Sequence, residues 1–145
     1  MSYKKLDFES STRYHKNGVD FVGYEKINND LSFVIETVEE GHFEEFVHDK
    51  STFTYIFLEG SGTFYLDDEP VEVKAGDVLS IDPGTRIYYK GHLKQILITA
   101  PAYDPKYERH IRNIDKKIKI IETRNKEWKK YRLKKLQNLK TATYA

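Results

Sequence analysis

Tyr55-Ile56-Phe57-Leu58-Glu59-Gly60-Ser61-Gly62-Thr63-Phe64-Tyr65-Leu66, and after it Val73-Lys74-Ala75-Gly76-Asp77-Val78-Leu79-Ser80-Ile81-Asp82-Pro83-Gly84-Thr85, decide the fold. The first stretch reads as a strand, a tight turn and a return strand. Gly60 and Gly62 permit positive φ where the chain reverses. Gly76-Asp77 makes a second turn, and the strand after it is stopped by Pro83-Gly84. Outward from this window the same texture continues. Residues 19–27, 31–38, 42–48, 71–73, 87–89 and 93–99 are short apolar or alternating runs, separated by Asn28-Asn29-Asp30, Glu39-Glu40-Gly41, Asp67-Asp68-Glu69-Pro70 and Lys90-Gly91. In residues 31–38, Leu31, Phe33, Ile35 and Thr37 share one side. Many short strands at near-regular spacing predict an all-β sandwich or barrel rather than a βαβ layout.

The two stretches also resemble the cupin superfamily. Tyr55-Ile56-Phe57-Leu58-Glu59-Gly60 is similar to the end of the first cupin motif, and Gly76-Asp77-Val78 with Pro83-Gly84-Thr85 to the second, in that order and at a matching separation. The resemblance extends over residues 42–101 and implies a jelly-roll barrel. It says less about activity, because this fold hosts enzymes, storage proteins and sensors.

Metal-binding cupins hold a divalent ion with two His and one Glu from the first motif and one His from the second. Carried over position by position, the resemblance puts these ligands at Phe46, His48, Phe53 and Ile87. Only His48 can coordinate, so the metal site reads as degenerate and no metal or other cofactor is expected. His42 and Glu44 share the face of His48 if residues 42–48 are a strand, and His92 lies near the second motif. These are the available substitute ligands, and His42 and Glu44 also read simply as solvated positions at a barrel rim.

If His48 points inward, so does Phe46, with Phe53, Tyr55 and Phe57 on the next strand and Ile87 and Tyr89 on another. That describes an aromatic pocket with one imidazole and two phenols, suited to an apolar or ring-shaped ligand held by a few hydrogen bonds. Arg86 is a candidate anion contact at its mouth. The favoured reading is a metal-independent cupin that binds a small organic molecule. An alternative resembles the sugar-nucleotide epimerases and isomerases of the superfamily, with His48 as base and Tyr55 or Tyr89 as acid. A lone histidine among aromatics also looks like a hydrogen-bonded core residue, so both roles for His48 stay open.

The chain divides into residues 1–18, a polar N-terminal extension that ends in a turn at Lys16-Asn17-Gly18; 19–103, the barrel; and 104–145, a basic extension set apart by its charge. Residues 1–103 carry 10 Lys/Arg against 18 Asp/Glu, whereas 104–145 carry 14 against 5. Ile111, Ile114 and Ile118 suggest a helical face, although Ile118-Lys119-Ile120-Ile121 also reads as a strand. Trp128, Tyr131, Leu136 and Leu139 recur at helical spacing among lysines. This segment is expected to pack on the barrel or on a second subunit, consistent with a homodimer. A third reading is a regulatory protein whose basic tail contacts nucleic acid or an anionic surface. With no cysteine, disulfides and thiolate metal sites are excluded. No stretch approaches the roughly 20 apolar residues of a membrane span. Met1-Ser2-Tyr3-Lys4-Lys5-Leu6-Asp7 lacks the apolar core of a signal peptide, and a cytoplasmic setting is expected.

Overall fold

The computed structural model describes residues 2–115. It contains nine strands: β1 (Thr12–Lys16), β2 (Val19–Gly23), β3 (Ser32–Val38), β4 (Gly41–His48), β5 (Thr52–Leu66), β6 (Glu69–Lys74), β7 (Val78–Ile81), β8 (Ile87–Ala100) and β9 (Glu108–Asn113). All pairings are antiparallel. One path runs β1-β2-β3-β8-β4-β9, and β5 pairs with β8 while also carrying β6 and β7. The result is a curled, cupin-like half-barrel.

Two long strands produce the curl. β5 and β8 stay paired from Thr52↔Ala100 to Leu66↔Ile87, with a register slip between Phe57 and Glu59. Beyond that slip each strand changes partners. The 93–99 half of β8 lies beside β3, and the half near Ile87 lies beside β4. Gly60 and Gly91 sit at the corner with φ of 84° and 136°. A Cβ on Gly60 would land on the His92 carbonyl oxygen, and one on Gly91 would strike Gly62. The backbones cross too closely there for any side chain.

Inside the curl, alternate residues of each strand interlock. Phe53, Tyr55 and Phe57 project from β5 onto Phe64 and Tyr89, and the last two rings stack 4.3 Å apart. Burying each ring contributes roughly 2–3 kcal/mol, and each good ring pair about 1 kcal/mol more. Phe46, Phe53 and Ile87 all belong to this core, at 6%, 3% and 2% exposure. On β3 the inward residues are Ser32, Val34, Glu36 and Val38, not the more apolar Phe33 and Ile35.

The segment after the barrel differs from the sequence expectation. Glu108–Asn113 is a strand along β4, where Ile111 and Ile114 suggested a helical face. Ile111 is exposed, while Ile114 packs with Tyr65, Tyr88 and Phe43 on the outer side of the sheet. Backbone pairing is reinforced by charge. Arg112 meets the buried Glu45 at 3.1 Å, and Arg109 meets Asp49 at 2.7 Å. At the other end, β1 adds a strand to β2 from within the first 18 residues. The helical and nucleic-acid-binding readings of the basic tail fall on residues 116–145, which lie outside the described residues. No described helix is long and apolar enough to cross a membrane.

Candidate functional site

A cavity of about 260 Å³ opens at one end of the curl. Its polar side chains include Glu36 from β3, His42 and Glu44 from β4, Tyr55 from β5, Tyr89 from β8 and Glu108 from β9. The strand pleat puts His42 and Glu44 on one face of β4, above Phe46. Phe46 and Phe53 form the adjoining wall. At the mouth lie the stacked rings Tyr14–Phe21 and Tyr24–Phe33, at 4.8 and 5.4 Å, together with Lys16 and Lys26.

His42 is buried. Its Nδ1 lies 2.8 Å from the Glu44 carbonyl oxygen. A carbonyl only accepts, so Nδ1 carries the proton and donates, and Nε2 keeps its lone pair in the neutral ring. Nε2 has no hydrogen-bond partner among the described residues. The ring stacks on Tyr89 at 5.3 Å and meets Phe46 edge-on at 5.1 Å. Burial lowers the imidazole's pKa below its usual 6.5, partly offset by the Glu44 carbonyl. His42 is therefore a neutral base at physiological pH.

Glu36 is buried behind Tyr89. Its Oε1 accepts from the Tyr89 hydroxyl at 3.1 Å and from Gln95 Nε2 at 2.7 Å. Burial raises the carboxyl from 4.5 to about 7, against the opposing pull of those two donors. Burial likewise holds the Tyr55 and Tyr89 phenols well above 10, with the Glu36 charge adding to the effect. The Tyr55 hydroxyl has no hydrogen bond among the described residues. Farther out, Glu44 holds Asn17 at 3.0 Å and His110 at 2.6 Å, and Tyr103 donates to Glu108 at 3.0 Å.

The residues singled out from sequence separate into two groups. Phe46, Phe53, Tyr55 and Tyr89 line the cavity, whereas His48, Phe57, Arg86 and Ile87 do not. His48 Nδ1 accepts from the Ser51 and Lys50 amides at 3.0 and 3.3 Å, and Nε2 donates to the Asp104 carbonyl at 3.1 Å. Both nitrogens are thus committed to the backbone. Phe57 and Ile87 are core. Arg86, read as an anion contact, is already neutralised by Asp68 at 2.7 Å, with Glu45 and Asp67 at 3.5 and 3.6 Å. His42 is buried rather than solvated at a rim, and His92 is exposed.

Missed from sequence were Glu36, Tyr14, Lys16, Tyr24, Tyr103 and Glu108. The available signal for Glu36 was its break in an otherwise strand-like run. Glu108 carried none, since β9 was not recognised as a strand.

These features define an antiparallel cupin-like half-barrel with a cavity at one end whose aromatic and apolar walls carry a few polar groups. The cupin domain model matches residues 34–92. Among solved structures, Streptomyces Pac13, described as a unique nucleoside dehydratase, is 38% identical over 79% of this chain and 95% of that one, with a TM-score of 0.76. The chain belongs to the cupin superfamily. Variants Y55F, Y89F and H42Q of the Streptomyces protein have been solved with uridine. KdgF from Halomonas sp. is 14% identical over 72% of this chain and 99% of that one, TM-score 0.62. The polyketide cyclase RemF from Streptomyces resistomycificus is 13% identical over 77% and 87%, TM-score 0.60. These last two share the fold alone. No curated protein matches the chain.

A divalent ion does not fit this chain's version of the superfamily site. Phe46, Phe53 and Ile87 offer no donor, and both His48 nitrogens are engaged. Among the described residues no three His, Cys, Asp or Glu side chains gather as a metal site.

Proposed function

We propose that this cupin binds a nucleoside in the cavity and eliminates water from it without a metal, with His42 as the base. The observation that carries this reading is the buried His42 ring, neutral, with Nδ1 pinned to a carbonyl and Nε2 left unpaired, stacked on Tyr89 in a cavity that Tyr55 also lines. In such an elimination, Nε2 takes a proton from a carbon next to a carbonyl or similar electron sink. The C–H electron pair becomes the new C=C bond, and the hydroxyl on the neighbouring carbon leaves. It departs as water after receiving a proton from a tyrosine, Tyr89 or Tyr55. The stacked aromatic pairs at the mouth suit a planar base.

Two further points support a nucleoside. The Streptomyces relative is described as a nucleoside dehydratase, and this chain has the same residue types at 42, 55 and 89 as that protein has at those numbers. The cavity sets the carboxylates of Glu44 and Glu108 against Lys16 and Lys26, so it offers no net positive charge to a phosphorylated ligand.

The test is calorimetric titration of the full chain with uridine, followed by mass spectrometry of uridine derivatives carrying a carbonyl on the sugar. Uridine binding by both the wild type and H42Q, and a product lighter by one water that H42Q forms far more slowly, are expected. Turnover in H42Q equal to the wild type contradicts the reading.

A further inference from the structure

Glu36 is an unusual residue to bury at the back of this site. It comes from the middle of β3, is 2% exposed, and faces Gln95 directly in the β3–β8 register. Gln95 is itself fully buried. Its Nε2 donates to Glu36 Oε1 at 2.7 Å, yet its own Oε1 has no partner among the described residues. A buried acceptor without a donor is destabilising, because it gave up its hydrogen bonds to water and gained none in return. An amide and a carboxylic acid that face each other pair through two hydrogen bonds, N–H to carbonyl and O–H to amide oxygen. A proton on Glu36 Oε2 is the donor that Gln95 lacks. The Tyr89 hydroxyl then donates to the carbonyl-like Oε1 of a neutral acid, at 3.1 Å.

We propose that Glu36 is the positioning residue for Tyr89 and works as the neutral acid. Protonated, it holds the Tyr89 hydroxyl by an ordinary hydrogen bond that a bound nucleoside can replace. Ionised, it holds that hydroxyl by a charge-assisted bond about twice as strong, and it places a negative charge beside a reaction that builds up another. Tyr89 then cannot turn its proton to the leaving oxygen. This inference rests on the dehydration reading, and it adds an alkaline limit to activity set by a group that acts through Tyr89. His42 sets the acid limit, because it must be neutral to accept a proton.

The other charged or titratable groups of the cavity around Glu36 are Tyr89 from β8, Tyr55 from β5, His42 and Glu44 from β4, Tyr14 and Lys16 from β1, and Glu108 from β9, with Lys26, Tyr24 and Tyr103 from the connecting segments. β2 presents Phe21 opposite Glu36. The phenols stay protonated well beyond neutrality, so they do not produce a limb near pH 7.

The experiment compares pH profiles of kcat for the full wild-type chain and for E36Q, on the uridine derivative that the wild type dehydrates. Glutamine mimics the protonated acid, since its amide N–H₂ can serve Gln95 Oε1 while its carbonyl accepts from Tyr89. Wild-type kcat is expected to fall about tenfold per pH unit above a midpoint near 7. E36Q is expected to keep the low-pH kcat and lose that decline. A purely structural role would lower E36Q at every pH. If E36Q does not fold, ¹³C NMR of carboxyl-labelled glutamate in the wild type decides. A Glu36 signal titrating near 7, and higher in Y89F, supports the proposal; one titrating near 4.5 overturns it. An active wild type whose alkaline limb survives in E36Q overturns this inference alone. A wild type that dehydrates no nucleoside at any pH overturns the dehydration reading and this inference with it.

Discussion

The two ends of β4 carry histidines on the same face of the same strand, six positions apart, and the surroundings give them opposite properties. At the His48 end the chain turns sharply, and the turn's Lys50 and Ser51 amides together with the Asp104 carbonyl use up both ring nitrogens. Phe53, Tyr103 and Tyr107 surround the ring at 5.3, 5.4 and 6.2 Å. At the His42 end one carbonyl holds Nδ1, and the other nitrogen faces no protein partner among the described residues. One imidazole is spent on the backbone, and the other is available for chemistry. Burial alone does not separate them, since both are under 10% exposed; what separates them is how many of their hydrogen bonds the protein itself satisfies.

The largest expected effect breaks the comparison at His42. H42Q should slow nucleoside dehydration by a factor of about 10² or more, the range for losing a general base, while uridine binding persists in calorimetry. Equal rates would make the two histidines functionally alike.

Next in size is the pH dependence of stability that Glu36 imposes. Its carboxyl titrates at about 7 in the folded chain and at 4.5 when free. Between these values the folded state binds the extra proton, so stability declines as pH rises through that window. The full decline is on the order of 3 kcal/mol by pH 8. In urea titrations E36Q should be about that much more stable than the wild type above neutrality and should lack the decline. His42 acts in the other direction. Its depressed value means that stability is lost as pH falls below 6.5.

At the His48 end a structural loss is expected instead. H48A leaves the Ser51 amide and Asp104 carbonyl without their partner, for a loss on the order of 2 kcal/mol, with turnover per folded molecule unchanged. A loss of turnover at unchanged urea midpoint would return His48 to the catalytic role first read from sequence. The smallest effect lies just beyond, where Arg109 and Asp49 pair across β9 and β4 at the surface. R109A should change stability by less than about 1 kcal/mol, because exposed pairs contribute little. A larger loss would show that β9 depends on this clasp.

These contrasts also explain what the sequence could convey. The turns at Gly76 and Pro83-Gly84 and the alternation of β5 are local features, so strand content and the cupin-like curl were legible, whereas the reversal read at Gly60-Ser61-Gly62 is a bend inside the continuous strand β5, which stays paired with β8 on both sides of it. Tyr55, Tyr89, Phe46 and Phe53 follow from the same alternation and do line the cavity. The choice between His42 and His48 was not legible, because it depends on Asp104, more than fifty residues beyond the strand. On β3 the alternation of Phe33 and Ile35 tells which residues share a side but not which side faces in; Ser32 and Glu36 are the buried ones that line the cavity, against the usual preference for apolar residues inside. The pattern of Ile111 and Ile114 suited a helix on spacing alone, but β4 offered an open edge whose Glu44, Glu45 and Asp49 match the charges of β9.

The most direct measurement is ¹⁵N NMR of the five imidazoles while uridine is added to the full chain. The account predicts that His42, protonated at Nδ1, shifts at Nε2 as uridine fills the cavity, while His48, protonated at Nε2, keeps its resonances. A His48 signal that moves while His42 stays still would contradict it.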